Sequence, residues 1–205
     1  MANVYLGRHG DAVDTKGKFH GMKDVPLTTK GVEEARKLAQ SFIDLKIPFK
    51  KIVASPLSRT ADTAEIVSEA TGLPVEYCKE LLPLDLGAYV GKSTDTYQDD
   101  VRYYLQHPDE RIPNGGTVNE WAKPYINYAN KDLFDGTDDN IIYITHGRNI
   151  LLTKADIKLG NNLNYDNLWL ADNNTSTEHG GYAIANGDEK RFEIINPKKT
   201  VAGVS

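Results

Sequence analysis

Arg8, His9, Arg59 and His146 are the residues whose types and places suggest chemistry. Arg8 and His9 stand in LGRHG, directly after Val4-Tyr5-Leu6; Arg59 stands in SPLSRTADT, after KKIVASP; His146 stands in THG, after NIIYI. Each follows an apolar run that reads as a strand, or opens the helix behind one. Cationic or near-cationic side chains are poor core material, because burying an unpaired charge is expensive. They suit the mouth of a pocket that accepts an anion. Arg59 falls at or near the first turn of a helix, where a cation opposes the helix dipole. The placement makes sense if the helix start and the guanidinium both face an anion. Taken singly, each residue has an ordinary reading: an exposed loop pair, a surface arginine, a hydrogen-bonded histidine at a sheet edge. Their shared position beyond strand ends, where open α/β sheets bind ligands, favours one common site.

The elements that must position them alternate along the chain. Val4, Tyr5 and Leu6 form a first strand, closed by Gly7 and Gly10, and a polar loop follows over 11–28. Val32, Ala35, Leu38, Ala39 and Phe42 recur at helical spacing, with Thr28 or Thr29 as cap and Pro48 beyond the end. KKIVASP is a second strand, stopped by Pro56. The next helix has Leu57, Ala61, Ala64, Val67 and Ala70 as its inner face and Gly72 at its end. Pro74 and Val75 begin another extended piece, residues 81–93 are irregular, and helices are predicted over about 95–106, 117–133 and 149–158. Ile141, Ile142, Tyr143 and Ile144 are the strongest strand signal, and Asn186-Gly187 marks a closing hairpin. Strand–helix alternation predicts a three-layer α/β/α sandwich with a mostly parallel central sheet. The 205 residues are read as one domain, with 92–135 as a helical cap or lid.

Composition narrows the partners. The chain is 40% hydrophobic and 26% charged, and its net charge of -5 argues against a nucleic-acid or anionic-membrane surface. Cys78 is the only cysteine, which excludes an intrachain disulfide and a cysteine-rich metal site. MANVYLGRHG lacks the apolar stretch of a signal peptide, and no segment approaches the roughly 20 apolar residues of a membrane helix. The expected location is the cytoplasm, as a monomer or homodimer.

RHG at 8–10, GKFHG at 17–21, DVPLTTKG at 24–31, SPLSRTADTA at 55–64 and THG at 145–147 together resemble the histidine phosphatase superfamily, also called phosphoglycerate mutase-like. LWLADNNTST at 168–177 and the final hairpin resemble the family's ending, so the likeness runs over nearly the whole chain. The resemblance implies that His9 is a nucleophile that becomes phosphorylated, with Arg8, Arg59 and His146 around the transferred phosphoryl group. It also implies substrate contacts at Asp14, Thr15, His20, Gly21 and Gly147. The chemistry agrees. A neutral imidazole nitrogen attacks phosphorus while its other nitrogen donates to a fixed acceptor, and two arginines neutralise the equatorial oxygens. A protonated His146 would add a third donor. No metal and no cofactor is expected.

The chain also departs from the family pattern. Pro83 in LLPLDLGAYVG stands where the family places its general-acid glutamate, Val90 replaces a later one, and Gly116-Thr117-Val118 replaces a glycine-glutamate-serine pattern. The acid comes from elsewhere or is absent: Asp85 is the first choice, though it reads equally as a structural turn aspartate, with Asp14 and Asp11 next and Glu80 and Glu120 behind them. Residues 92–115 are expected to supply part of the pocket rim, and Tyr97, Tyr103 and Tyr104 suit stacking on a ring and helix packing equally. Lys92, Arg102 and Arg148 read by default as solvated charges, with contact to a second anionic group as the alternative. The function expected is a metal-independent phosphatase acting on a small phosphomonoester or phosphoanhydride through a phosphohistidine. The alternatives are a weak or inactive phosphate- or protein-binding relative, and a phosphoglycerate-type mutase.

Overall fold

In a computed structural model, which describes residues 3–14, 16–134, 138–159, 177–187 and 189–196, the apolar runs become strands and the 3.6-period stripes become helices. The strands are β1 (Asn3–Arg8), β2 (Phe49–Ala54), β3 (Val75–Tyr77), β4 (Asn140–Thr145), β5 (Tyr182–Asn186) and β6 (Arg191–Ile195). The helices are α1 (Thr29–Asp44), α2 (Ser58–Thr71), α3 (Thr94–Gln106), α4 (Val118–Leu133) and α5 (Gly147–Leu159), with short 3₁₀ turns at Lys79–Leu81 and Gly87–Tyr89. The strands form one sheet in the order β3-β2-β4-β1-β5-β6. β1 to β4 run parallel, and β5 and β6 are antiparallel at one side. The fold is the expected layered α/β architecture. Among the described residues, no helix is long and apolar enough to cross a membrane.

Period-two alternation splits the core into two layers. Tyr5, Ile52, Ala54, Ile142 and Ile144 pack against Leu38 and Phe42 of α1 and Ala64 and Val67 of α2. Val4, Leu6, Val53, Ile141 and Tyr143 point the other way, onto Ala122, Tyr125, Ala129 and Leu133 of α4 and Ile150 and Leu151 of α5. Val101 and Leu105 of α3 join that second cluster. Residues 92–135, expected as a cap, thus contribute α4 as one layer of the sandwich.

The first two helices are capped in different ways. Thr28 caps α1, its hydroxyl accepting from the Gly31 N–H at 3.0 Å. No side chain of the Leu57 cap serves α2; Asp24 reaches across instead, accepting from the Ser58 N–H at 2.8 Å and the Ser58 hydroxyl at 3.0 Å. The inner face of α2 also shifts: Ala70 is exposed, and Arg59, Thr60 and Thr63 are buried. Polar side chains face inward there because this turn of α2 abuts the pocket.

Gly10 is required by a close backbone contact. A Cβ on Gly10 would sit 2.2 Å from the Gly31 carbonyl oxygen, and one on Gly31 would sit 1.9 Å from that of Asp11. The loop after β1 rests backbone on backbone against the first turn of α1, which only glycine at both positions permits.

Candidate active site

The parallel strands end together. Arg8 pairs in register with Thr145, and Ala54 with Ile144, so the residues that follow β1, β2 and β4 share one edge of the sheet. His9, Ser55 and His146 stand there, all buried. His9 and His146 border a pocket of about 360 Å³ lined by Arg8, His9, Lys18, Phe19, His20, Gly21, Arg59, Pro83, Leu84, Leu86, His146, Gly147, Arg148, Leu151 and His179. Among these described residues there are four Arg or Lys side chains and no carboxylate.

His9 is built as a neutral base. Its Nδ1–H donates to the Gly10 carbonyl at 2.8 Å, which leaves the Nε2 lone pair for the pocket. Its own N–H donates to the Thr145 carbonyl at 3.2 Å, and the Gly10 N–H donates to the Thr63 hydroxyl at 3.2 Å. Burial first, then His146, Arg59 and Arg8, push the His9 pKa well below that of a free imidazole.

Arg59 is almost completely buried, and no carboxylate among the described residues is bonded to it. It donates to the Lys23 carbonyl at 2.8 Å, to the Gly21 carbonyl at 3.0 Å and to His146 Nδ1 at 3.3 Å. Burial lowers its pKa to about 10, so it stays cationic at neutral pH. Arg8 donates to the Thr177 carbonyl at 2.8 Å.

His146 departs from the expected protonated donor. A guanidinium only donates, so Nδ1 must accept from Arg59, and the Nε2–H must donate to the Ser55 hydroxyl at 2.9 Å. Burial, Arg59 and Arg8 all push its pKa well below the usual value. His146 is a neutral imidazole that steers Arg59.

The profile of the histidine phosphatase superfamily (branch 1) matches residues 4–182. The chain belongs to that superfamily. It is 31% identical over 153 residues to a Cronobacter sakazakii protein called "Probable phosphoglycerate mutase GpmB", covering 72% of this chain and 70% of that one. An Enterobacter protein of the same name is 33% identical over 126 residues, 58% of each chain, so the match spans less than two thirds of that relative. In fold the chain resembles the α-ribazole phosphatase of Shigella flexneri, at TM-score 0.73 and 22% identity over 99% of both chains. It also resembles a mycobacterial glucosyl-3-phosphoglycerate phosphatase, at TM-score 0.72 and 20% identity over 95% of this chain and 97% of that one. The chain therefore sits in a family of phosphatase- and mutase-type enzymes.

Within this histidine phosphatase scaffold, His20, Gly21 and Gly147 line the pocket with the four residues first singled out. Gly21 contributes its carbonyl to Arg59, and Gly147 lies beside the Arg8 guanidinium. Both ring nitrogens of His20 face backbone carbonyls, those of Lys18 at 3.1 Å and Asp14 at 2.8 Å, so the ring pins its own loop. Thr15 and residues 168–176 lie outside the described residues.

None of the five carboxylates considered for the acid lines the pocket. Asp85 accepts from the Gly87 N–H at 3.1 Å and borders a neighbouring cavity of about 440 Å³. Asp14 is exposed and paired with Lys18 at 2.6 Å, which holds its carboxyl below the usual range, so it is no raised-pKa acid. Glu80 accepts from the Cys78 thiol at 3.0 Å. Glu120 closes a capping box with Thr117 and pairs with Arg111, which accounts for the Gly116-Thr117-Val118 departure. Asp11 accepts from the Thr28 hydroxyl at 2.9 Å. Pro83 is in the pocket wall, where Asn149 holds its loop by donating to the Leu81 carbonyl at 2.9 Å and the Leu82 carbonyl at 3.2 Å.

The tyrosines do not reach the rim. Tyr97 and Tyr104 each pack on Tyr89 at 6.1 Å, and Tyr103 stacks on His107 at 4.1 Å. Lys92 lies over the Tyr97 ring, and Arg102 is also absent from the lining; Arg148 is present, beside the Phe19 ring at 5.9 Å. Lys18, Phe19 and the apolar wall of Leu84, Leu86 and Leu151 complete the pocket, together with His179.

Proposed function

We propose that the protein is a metal-independent phosphatase that hydrolyses a small phosphomonoester or phosphoanhydride through a phosphohistidine at His9. The observation that carries this reading is a neutral imidazole, anchored at Nδ1, facing a pocket of cations with no carboxylate among the described lining residues. Nε2 of His9 attacks phosphorus as the bond to the leaving oxygen breaks. Arg8 and Arg59 offer fixed donors to the equatorial oxygens, where charge must be stabilised. Water then attacks the phosphohistidine, the P–N bond breaks, and inorganic phosphate leaves with His9 neutral again. A lining of this charge repels a divalent cation, which supports chemistry without one.

The wall of Phe19, Pro83, Leu84, Leu86 and Leu151 suits a small organic group on the phosphate. Pro83 brings no proton to the leaving oxygen, and general acid catalysis is worth about 10²–10⁴-fold. The reading therefore favours substrates whose leaving group departs without help, such as an aryl phosphate or an anhydride. It disfavours a mutase, which must return the phosphoryl group to a sugar-acid hydroxyl. The same proline is the observation that favours a catalytically weak phosphate-binding role as the second reading. Turnover of p-nitrophenyl phosphate in EDTA by the full chain and by His9→Ala separates the two. The phosphatase reading expects release that His9→Ala abolishes; equal background release from both proteins would refute it.

A further inference from the structure

His179 stands in the pocket with no role in the steps above. Its ring centre is 5.4 Å from that of His9, and His146 flanks His9 on a nearly equal footing at 5.3 Å. A hydrogen bond of about 2.9 Å plus the ring radius puts an accepting oxygen about 4 Å from an imidazole centre. An oxygen of a phosphoryl group on His9 thus falls within reach of both flanking rings.

The segment that carries His179 is tied down on several sides. Arg8 donates from its side chain to the Thr177 carbonyl at 2.8 Å and from its N–H to the Gly181 carbonyl at 3.0 Å. The Gly181 N–H donates to the Glu178 carbonyl at 2.9 Å, and the Glu178 N–H to Asn196 Oδ1 at 2.9 Å. Gly180 takes φ +72° against α1, where a Cβ would meet the Glu34 carbonyl oxygen at 2.9 Å. A ring fixed this way is placed in advance for a ligand.

The two flanking imidazoles differ in what stands behind them. His146 has the Arg59 guanidinium on its Nδ1, which forces the neutral form. His179 has a carboxylate: its Nδ1 lies 3.8 Å from Asp11 Oδ1. The charged and titratable groups around it are Arg8 from β1, His9 and Asp11 from the following loop, and Lys30 and Glu34 from α1, which pair with each other at 3.2 Å. We infer that His179 is a further contact to the phosphoryl group, an imidazole that takes up a proton as the dianion enters and donates to one of its oxygens with Asp11 behind it. This rests on the reading that the pocket takes a phosphoryl group. Burial and then Arg8 hold His179 at about 4, against the pull of Asp11, so the ring is neutral at pH 6. A dianion in contact with Arg8 offsets that repulsion and removes much of the reason for neutrality.

Sulfate tests this, because it stays a dianion across the working range and any proton taken up must come to the protein. Titration calorimetry of sulfate into the full chain at pH 6, in two buffers of different ionisation enthalpy, reads the protons bound per sulfate. The wild type is expected to take up most of one proton. His179→Gln is expected to bind sulfate about 10-fold more weakly, the scale of one charged hydrogen bond, and to take up little. Asp11→Asn is expected to bind sulfate and take up less than the wild type. Uptake in either variant equal to that of the wild type would overturn the inference, as would a wild type that binds no sulfate. His9-dependent turnover is a separate readout: full proton uptake without turnover supports the His179 contact and refutes the phosphatase reading.

Discussion

Gly31→Ala changes a residue that does not line the pocket, yet it should impair both stability and catalysis. A methyl group there would lie 1.9 Å from the Asp11 carbonyl oxygen, whereas ordinary contact begins near 3.4 Å. The loop after β1 and the first turn of α1 must therefore separate by about 1.5 Å. Helix propensity pulls the other way, since alanine in place of glycine stabilises a helix by about 1 kcal/mol. Overpacking of a tight backbone contact costs about 1–3 kcal/mol, so packing outweighs propensity by up to about 2 kcal/mol. For a chain of this size that lowers Tm by up to about 8 °C. The same displacement moves Asp11 and Gly10, whose carbonyl anchors His9 Nδ1 at 2.8 Å. A misplacement of about 1 Å costs on the order of 10²-fold in rate. Differential scanning calorimetry and p-nitrophenyl phosphate turnover measure the two effects. A variant with raised Tm and wild-type kcat would refute the backbone-contact explanation and leave only propensity.

Other consequences follow from the same geometry. Asp85→Asn should change turnover by less than about 2-fold, because Asp85 caps the Gly87 N–H outside the pocket and asparagine retains that acceptor; a loss on the general-acid scale would contradict its placement. Pro83→Glu should accelerate an alkyl phosphate by about 10²–10⁴-fold over the parent while changing p-nitrophenyl phosphate far less; an equal change for both substrates would mean that position 83 delivers no proton. Stability should fall on acidification. His9 and His146 are held well below the usual 6.5 and His179 at about 4, in each case mainly by burial. The unfolded chain binds protons that the folded chain refuses, so stability is complete above about pH 6.5 and is lost as pH falls toward the folded values. His179 alone accounts for up to about 3 kcal/mol by pH 4. A Tm that does not change between pH 7 and 4.5 would contradict this.

The strand-end logic made Arg8, His9, Arg59 and His146 legible, because side chains just past parallel strands must meet along one edge. The same logic missed His179. β5 runs antiparallel to β1, with Tyr182 opposite Gly7, so the residues on that edge precede the strand instead of following it. Period-two and 3.6-residue spacing located the elements, but Ala70 was misread as inward because a buried arginine and two threonines rotate the inner face of α2 toward the pocket. The acidic residues were ambiguous for a physical reason. A turn cap at Asp85, a capping box at Glu120 and an acid all call for a carboxylate near glycine or threonine, and only the partners tell them apart. Tyr97, Tyr103 and Tyr104 had the spacing of a stacking surface and of helix packing alike, and the contacts with Tyr89 and His107 decide for packing.

The central claim is that His9 carries the phosphoryl group. Rapid-quench turnover of a radiolabelled aryl phosphate, followed by peptide mapping, tests it most directly. The account predicts a label that is stable to base, labile to acid, located on the peptide containing His9 and absent from His9→Ala. An acid-stable label on another residue such as Ser55, or turnover with no labelled protein at any quench time, would contradict it.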